Sequence, residues 1–278
     1  MAFLVRSFPF LLAAGVAALS SAVRAAPAAA MPEARHLLDA AFQAFLDHQG
    51  RWAYTETFYS IAADGKRGPK TVVRFDPSLP FAQQRVLIER NGQPPTEKDL
   101  KEWEERQQQY ARTQEKRLEK EGQVLVGQEE FQIQIYGEKV TPLIAEAVVV
   151  SENETSVTFA IPLRKAGGAD QPRYQKHALT ARVSKTLHQF EQAELRQLEL
   201  MRVAAGKYFD GVSSIDFGSP DPRFPTVQVT TRNEVTNKPL FGGPFRSRNV
   251  RERSDHRHVT PYEERFGVKI GPVRTIEF

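Results

Sequence analysis

The sequence predicts a mainly β protein with helices, of the α+β class, and three observations lead to this class. Short runs that alternate apolar and polar residues recur along the chain, as in "FQIQIY" at 131–136. Turn signals such as Asp64-Gly65 and Asn91-Gly92 separate these runs at hairpin spacing. Two segments, at 32–50 and about 97–121, instead carry helical patterns. We therefore expect many antiparallel strands and a small number of helices.

The first 25 residues predict a cleaved signal peptide. Arg6 supplies a positive n-region, and the apolar run "FPFLLAAGVAAL" is too short to span a bilayer comfortably. Val23 and Ala25 stand where signal peptidase expects small or aliphatic residues, so we predict cleavage after Ala25. A membrane anchor is the alternative, but the apolar run stops at Ser20-Ser21. The expected product is one soluble domain, 26–278, that is periplasmic or secreted.

Composition excludes several function classes. The chain has no cysteine, which removes disulfides, thiolate metal sites, a cysteine nucleophile and a lipid-modified cysteine. The formal net charge is +4, and loss of Arg6 and Arg24 with the signal peptide leaves +2. Because lysine and arginine are interleaved with acidic residues, we expect no nucleic-acid partner.

The first elements after the signal peptide are a helix and a strand. Apolar residues at helical spacing follow Pro32, and Gly50 closes the pattern. The segment "RWAYTETFYS" then places Trp52, Tyr54 and Phe58 on one side of a strand. Further strands are predicted in "KTVVRF", "RVLIE", "FQIQIY", "IAEAVVV", "SVTFAIP", "HALTARV", "VSSIDF", "TVQVTT" and the arginine-rich run toward Val259.

The segment "RVLIERNGQPPTEKDL" predicts a strand, a turn and the start of a long charged helix. Asn91-Gly92 tolerates positive φ, and Thr96 is the expected N-cap, with Asp99 as a short version of the capping-box acid. The apolar stripe of this helix is thin and consists of Leu100, Trp103, Tyr110 and Leu118. Such a helix packs lightly along one edge and is otherwise solvated.

These features together resemble a known family. The order comprises the signal peptide, a first helix, "WAYTET" at 52–57, "RFDP" at 74–77, "NGQPPT" at 91–96 before a charged helix, many strands, and "SDHRHV" at 254–259. It resembles exported bacterial proteins of the outer-membrane lipoprotein-sorting, LolA/LolB-like, group. The resemblance implies a strongly curved antiparallel sheet, an open half-barrel whose apolar concave face is covered by helices and holds lipid or acyl chains. This chain departs from the carriers in its longer charged helix.

The segment at 187–205 gives two conflicting expectations. Its composition is rich in helix formers, with apolar residues near helical spacing up to Gly206. The resemblance instead implies paired strands. We prefer strands, because tertiary pairing overrides propensity.

No catalytic signature is found, and we expect no enzyme activity and no cofactor. The chain lacks G-x-S-x-G, H-E-x-x-H and the glycine-rich nucleotide loops. On a strand, His256 and His258 would point to one side, but no third metal ligand is visible, so we predict a solvated or ion-paired strand face and no metal site. The basic run 246–257 could contact an acidic envelope protein or phosphate headgroups at a membrane surface.

The strongest binding hypothesis rests on bulky apolar strand faces. The candidate ligand-binding residues are Trp52, Tyr54, Phe58, Phe131, Ile133 and Ile135. They line one cleft if their strands belong to one curved sheet, and otherwise they form ordinary core. Two functions follow from these readings. One is a non-enzymatic protein that binds a lipid-like or acyl-chain ligand in envelope lipid or lipoprotein handling. The other is an envelope interaction or sensor module without a small ligand.

Overall fold

The computed structural model of the chain describes residues 31–48, 50–121, 132–135, 138–199, 201–203, 207–238, 245–266 and 275–277. The predicted signal peptide therefore lies outside the described residues. Neither of the two α-helices in the described part combines the length and the apolar character that a membrane crossing requires.

Helix α1 spans Met31–His48, as its apolar spacing predicts. Its end is set by Gly50, which has φ of +84°, a conformation that glycine adopts without strain. The amide of Arg51 donates to the carbonyl of His48 at 3.2 Å, so one of the last helical carbonyls is satisfied. The chain then enters the first strand at once.

Helix α2 spans Glu97–Glu121 and begins with the predicted capping box. The amide of Asp99 donates to the Thr96 hydroxyl oxygen at 3.2 Å, and the amide of Thr96 donates to the Asp99 carboxylate at 3.0 Å. These hydrogen bonds from Thr96, with the nearby Arg90 guanidinium, hold the pKa of Asp99 below its usual value. The turn before the helix has Asn91 and Gly92 at φ of +55° and +80°. The local chemistry of this segment is confirmed.

Replacing Thr96 with alanine should lower the free energy of unfolding by about 0.5 to 2 kcal/mol, because the cap on the Asp99 amide is lost. Thr113→Ala is the matched control, since Thr113 is exposed in the same helix and bonds only the carbonyl of Gln109. Its expected cost is within about 0.5 kcal/mol. Urea unfolding of both variants measures the difference, and equal costs would contradict the cap.

The buried side of α2 differs from the predicted stripe. Gln107 and Ala111 are buried, whereas Leu100 and Tyr110 are 45 % and 37 % exposed. The reason is the position of Trp103, whose indole N–H donates to the carbonyl of Arg85 at 3.0 Å. This bond turns the row 103, 107 and 111 inward and leaves Leu100 and Tyr110 at its flanks.

The sheet is mainly antiparallel, as predicted. Its fourteen strands in the described residues are β1 Trp52–Ile61, β2 Thr71–Phe75, β3 Arg85–Arg90, β4 Gln132–Ile135, β5 Glu138–Pro142, β6 Val148–Glu152, β7 Ser156–Lys165, β8 Arg173–Ser184, β9 Phe190–Gln197, β10 Met201–Val203, β11 Lys207–Gly218, β12 Val227–Lys238, β13 Phe245–His258 and β14 Thr275–Glu277. The main path runs β14-β4-β5-β7-β8-β9-β11-β12-β13-β1-β2-β3, with β6 on β7 and β10 on β11. Only β14 and β4 pair in parallel, and the sheet is not closed between its described end strands. The strongly curved half-barrel covered by helices stays a prediction.

Strand β9 confirms the preference for strand in the ambiguous segment. Leu195 pairs with Leu179 of β8 on one side and with Ser213 of β11 on the other. Residues 190–197 thus gain hydrogen-bonded neighbours on both edges, and this outweighs their helix propensity. Residues 200 and 204–206 of the segment lie outside the described part.

The main core lies between α1 and one face of the sheet, here called the α1 face. Leu38 and Phe42 of α1 are buried against strands β4 to β11. The largest fully buried side chains near this contact include Phe159, Ile133 and Ile215. Ile133 and Ile215 alternate with polar residues along their strands, which is the pattern of a sheet with one apolar face.

Candidate functional site

A small apolar cavity lies between α1 and the α1 face of the sheet. Its volume is about 30 Å³. The lining residues are all apolar: Phe42, Phe45, Ile133, Ile161, Leu179, Ala181, Phe190, Ala193, Ile215 and Phe217. A space of this size holds about two water molecules, and the lining offers them no side-chain hydrogen bond. The site therefore suits an apolar group and contains no acid, base or nucleophile.

Four phenylalanine rings form the wall of this cavity. Phe42 meets Phe190 edge to face, with ring centroids 4.9 Å apart at 88°. Phe45 meets Phe217 in the same manner at 5.6 Å and 87°. Edge-to-face pairs of this kind add about 0.5 to 1.5 kcal/mol beyond the burial of their surface. Two rings of the helix are thus matched to two rings of the sheet.

The predicted ligand-binding residues of β4 belong to this core. Ile133 is 1 % exposed and lines the cavity, while Ile135 is 2 % exposed and packs in the same cluster. Phe131 lies outside the described residues. Because seven strands lie between β4 and β1 in the sheet, the described residues of β4 do not contact the other predicted set directly.

The predicted residues of β1 lie in three different surroundings. Trp52 is buried among histidine and phenylalanine rings. Tyr54 packs on Phe75, with ring centroids 5.1 Å apart. Phe58 is 39 % exposed, and the Arg251 guanidinium lies 5.9 Å from its ring centroid. None of the three lines the apolar cavity, so the five predicted residues that the structure describes are not brought together.

A second cluster, here called the histidine junction, joins the end of α1 to the ends of β1 and β13. Nδ1 of His48 lies 3.3 Å from Nε2 of His258, a hydrogen-bonding distance. The His258 ring stacks on Phe224, with centroids 3.8 Å apart at 9°, and its edge faces Trp52 at 5.2 Å. His256 approaches the same indole at 6.1 Å. One tryptophan thus contacts both histidines of the "DHRH" motif, which confirms that they share a face.

Burial and neighbouring cations lower the pKa values of these histidines. For His48 the main cause is burial, followed by the Arg51 charge. For His258 burial is again first, and His48 and Arg51 add to it. Burial also lowers the pKa of His256. All three imidazoles therefore favour the neutral form more than a free histidine does.

The histidine junction does not have the geometry of a metal centre. His48 is a partner for His258 that the local motif could not reveal, since it lies 210 residues away. In the part of the chain that the structure describes, no group of three or more histidine, cysteine, aspartate or glutamate side chains is arranged to hold a metal ion.

The arginines of the basic run 246–257 are largely ion-paired, as predicted. Arg248 pairs with Glu234 at 2.6 Å, and Arg246 pairs with the same carboxylate. Arg253 pairs with Glu56 at 3.1 Å, and Arg257 with Asp76 at 2.7 Å. The first two border a groove of about 460 Å³ on the face opposite α1, where Arg196, Arg232 and Asp210 also lie. The charged side chains that line this groove are four arginines and two acids, so positive charge is in excess along it.

Comparison with family models, with curated proteins and with solved structures finds no match to this chain.

Sequence reasoning missed the residues that build the apolar cavity from the middle of the sheet. Ile215 and Phe217 alternate with polar neighbours in "SSIDFG", so their period of two was a usable signal. Phe190 lies in the segment with conflicting signals, where a strand was preferred, but its contact with α1 was not predicted. His48 closes a helix, and no local pattern links it to His258.

Proposed function

We propose that this chain is an exported, non-enzymatic protein that binds an acyl chain or a similar apolar ligand between α1 and the sheet, in envelope lipid or lipoprotein handling. The observation that carries the proposal is the all-apolar lining of the cavity beneath a single covering helix. In this proposal residues 1–25 are removed on export, and the mature protein is periplasmic or secreted.

The size of the cavity defines how a ligand would enter. About 30 Å³ is too small for a chain of several methylenes, so the ligand must replace part of α1. Phe42 and Phe45 are the side chains whose place it would take, because both line the cavity and contact Phe190. Each methylene that becomes buried gains about 0.8 kcal/mol, which offsets the apolar surface that the helix exposes.

The alternative is an envelope interaction module without a small ligand. The small volume of the cavity, about 30 Å³, favours this alternative, since α1 already covers most of the apolar surface of the sheet. Such a module would use its exposed arginines, among them Arg246 and Arg257 at 61 % and 68 % side-chain exposure, to contact an acidic partner or phosphate headgroups.

A fluorescent long-chain fatty acid tests the proposal in a displacement assay. We expect uptake by the mature protein and weaker uptake by Ala193→Leu, which fills the remaining space in the cavity. Denying the ligand about two methylenes costs about 1.6 kcal/mol, or about tenfold in affinity.

Ala178→Leu is the matched control. Ala178 has the same intermediate burial, but it lies between Leu179 and His177 and so faces the opposite side of the sheet. This variant should bind the probe like the parent protein. No uptake by the parent, or equal uptake by both variants, would move the function to the interaction module.

A further inference from the structure

The histidine junction is a polar contact between the C-terminal end of α1 and the C-terminal end of strand β13. Elsewhere along α1, side chains such as Leu38 and Phe42 pack in the hydrophobic core. His48 is the last residue of α1, and His258 is the last residue of β13. A change in their contact therefore acts on the end of the helix.

We propose that the His48–His258 pair is a pH-sensitive latch, which fastens the end of α1 to the sheet at neutral pH and releases it under mildly acidic conditions. The proposal concerns the protein without ligand, and it stands whether or not an acyl chain is the ligand.

The chemistry of two facing imidazoles supports the latch. A hydrogen bond between Nδ1 of His48 and Nε2 of His258 needs one N–H and one lone pair. When both rings are protonated, both nitrogens are donors and the bond is lost. Two positive charges would then face each other across 3.3 Å, and they repel. Phe224 stacks on His258 and keeps water from one side of that ring.

The charges around the pair do not cancel this repulsion. Arg51 adds a third positive charge near both rings and ion-pairs with Glu264. Asp221 is held by Arg223, whose guanidinium donates to its carboxylate at 2.6 Å. The charged groups that act on the two rings are Asp47 on α1, Arg51, Asp221 before β12, and Glu264 beyond β13. The titratable groups that border the pair's partners are Arg223 beside Asp221, and Arg253, Asp255 and His256 on β13. Asp221 and Glu264, the two acids that act on His258, thus each have a cationic partner.

The sign of the effect follows from the lowered pKa values. Both histidines have pKa values below the ordinary 6.5, so the attached state binds fewer protons than the released state. Attachment is therefore strongest above pH 6.5. It weakens as the pH falls from 6.5 through the lowered pKa values, because protons then favour the released state.

Amide hydrogen exchange of the mature protein, without added ligand, measures the latch at about pH 7.5 and about pH 5. After correction for the intrinsic rates, protection in the last turns of α1 should fall relative to strand β7. The fall should be about tenfold for each unit by which the two pKa values are held down. In His48→Gln most of the difference in protection between the two pH values should disappear, since the side-chain amide of glutamine does not titrate. An exposed histidine on the same helix gives the control His36→Gln, which should behave like the parent.

A second measurement separates the latch from a purely structural effect. The His48 charge contributes to the low pKa of His258, so His48→Gln should raise the pKa of His258 in an NMR titration. Equal protection of α1 at both pH values in the parent, or a pH dependence unchanged in His48→Gln, would overturn the proposal. An unshifted His258 pKa in that variant would also overturn it.

Discussion

Replacing Phe42 with alanine is expected to lower the free energy of unfolding by about 3 to 5 kcal/mol. Phe42 is 6 % exposed, and its ring meets Phe190 edge to face. Truncation removes this burial and enlarges the neighbouring cavity of about 30 Å³. Urea or thermal unfolding of the purified variant measures the loss.

Phe58→Ala is the matched control for this prediction. It removes a phenyl ring that is 39 % exposed and lies beneath the Arg251 guanidinium. We expect a loss of about 1 kcal/mol or less. Similar losses in the two variants would show that α1 does not contribute its side chains to the core as described.

The second large effect is expected at Glu56. Its carboxylate accepts from Arg253 at 3.1 Å, and their side chains are only 15 % and 19 % exposed. Glu56→Ala removes the carboxylate partner of Arg253 and leaves the guanidinium charge in a side chain that is only 19 % exposed. The expected loss of stability is about 2 to 3 kcal/mol, below the about 3 to 5 kcal/mol of a fully buried pair. Equilibrium unfolding in urea again provides the measurement.

Two further variants decide the cause of this loss. Glu102→Ala breaks the exposed contact with Lys98 at 3.9 Å, and it should change stability by about 0.5 kcal/mol or less. Glu56→Ala combined with Arg253→Met removes both charges and should be more stable than Glu56→Ala alone. If the double variant is less stable, the cost belongs to other contacts of Arg253, such as those with Gln228 and Tyr54.

Local chemistry was predictable from the sequence where one short segment contains all the partners. The cap at Thr96 and Asp99 and the turn at Asn91-Gly92 depend only on neighbours within three residues. The strands were predictable for the same reason, because side-chain alternation has a period of two along each strand.

Contacts between distant segments were not predictable. The six residues proposed for ligand binding share one kind of pattern, yet seven strands lie between the strands of Ile133 and Trp52 in the sheet order. Alternation specifies which face a residue occupies, but it does not specify its neighbours. Strand order decides that Ile133 meets α1 and that Trp52 meets His258.

The sequence placed His256 and His258 on one face of a strand, but it did not reveal their partners in the histidine junction. Its partners come from the end of α1, the start of β1, the chain before β12 and the end of β13. Each position carries an ordinary aromatic or histidine residue. The cluster exists because the ends of these four segments meet at one place.

The most direct test of an acyl-chain site between α1 and the sheet is NMR of the mature protein with labelled isoleucine and leucine methyl groups. The protein is titrated with a long-chain fatty acid. We expect the largest shift changes and acyl-chain NOEs at the methyl groups that line the cavity beneath α1, those of Ile133, Ile161, Leu179 and Ile215. Methyl groups outside this lining, such as those of Ile88 in β3, serve as internal references. No shift change at saturating ligand, or changes confined to the reference methyl groups, would contradict an acyl-chain site between α1 and the sheet.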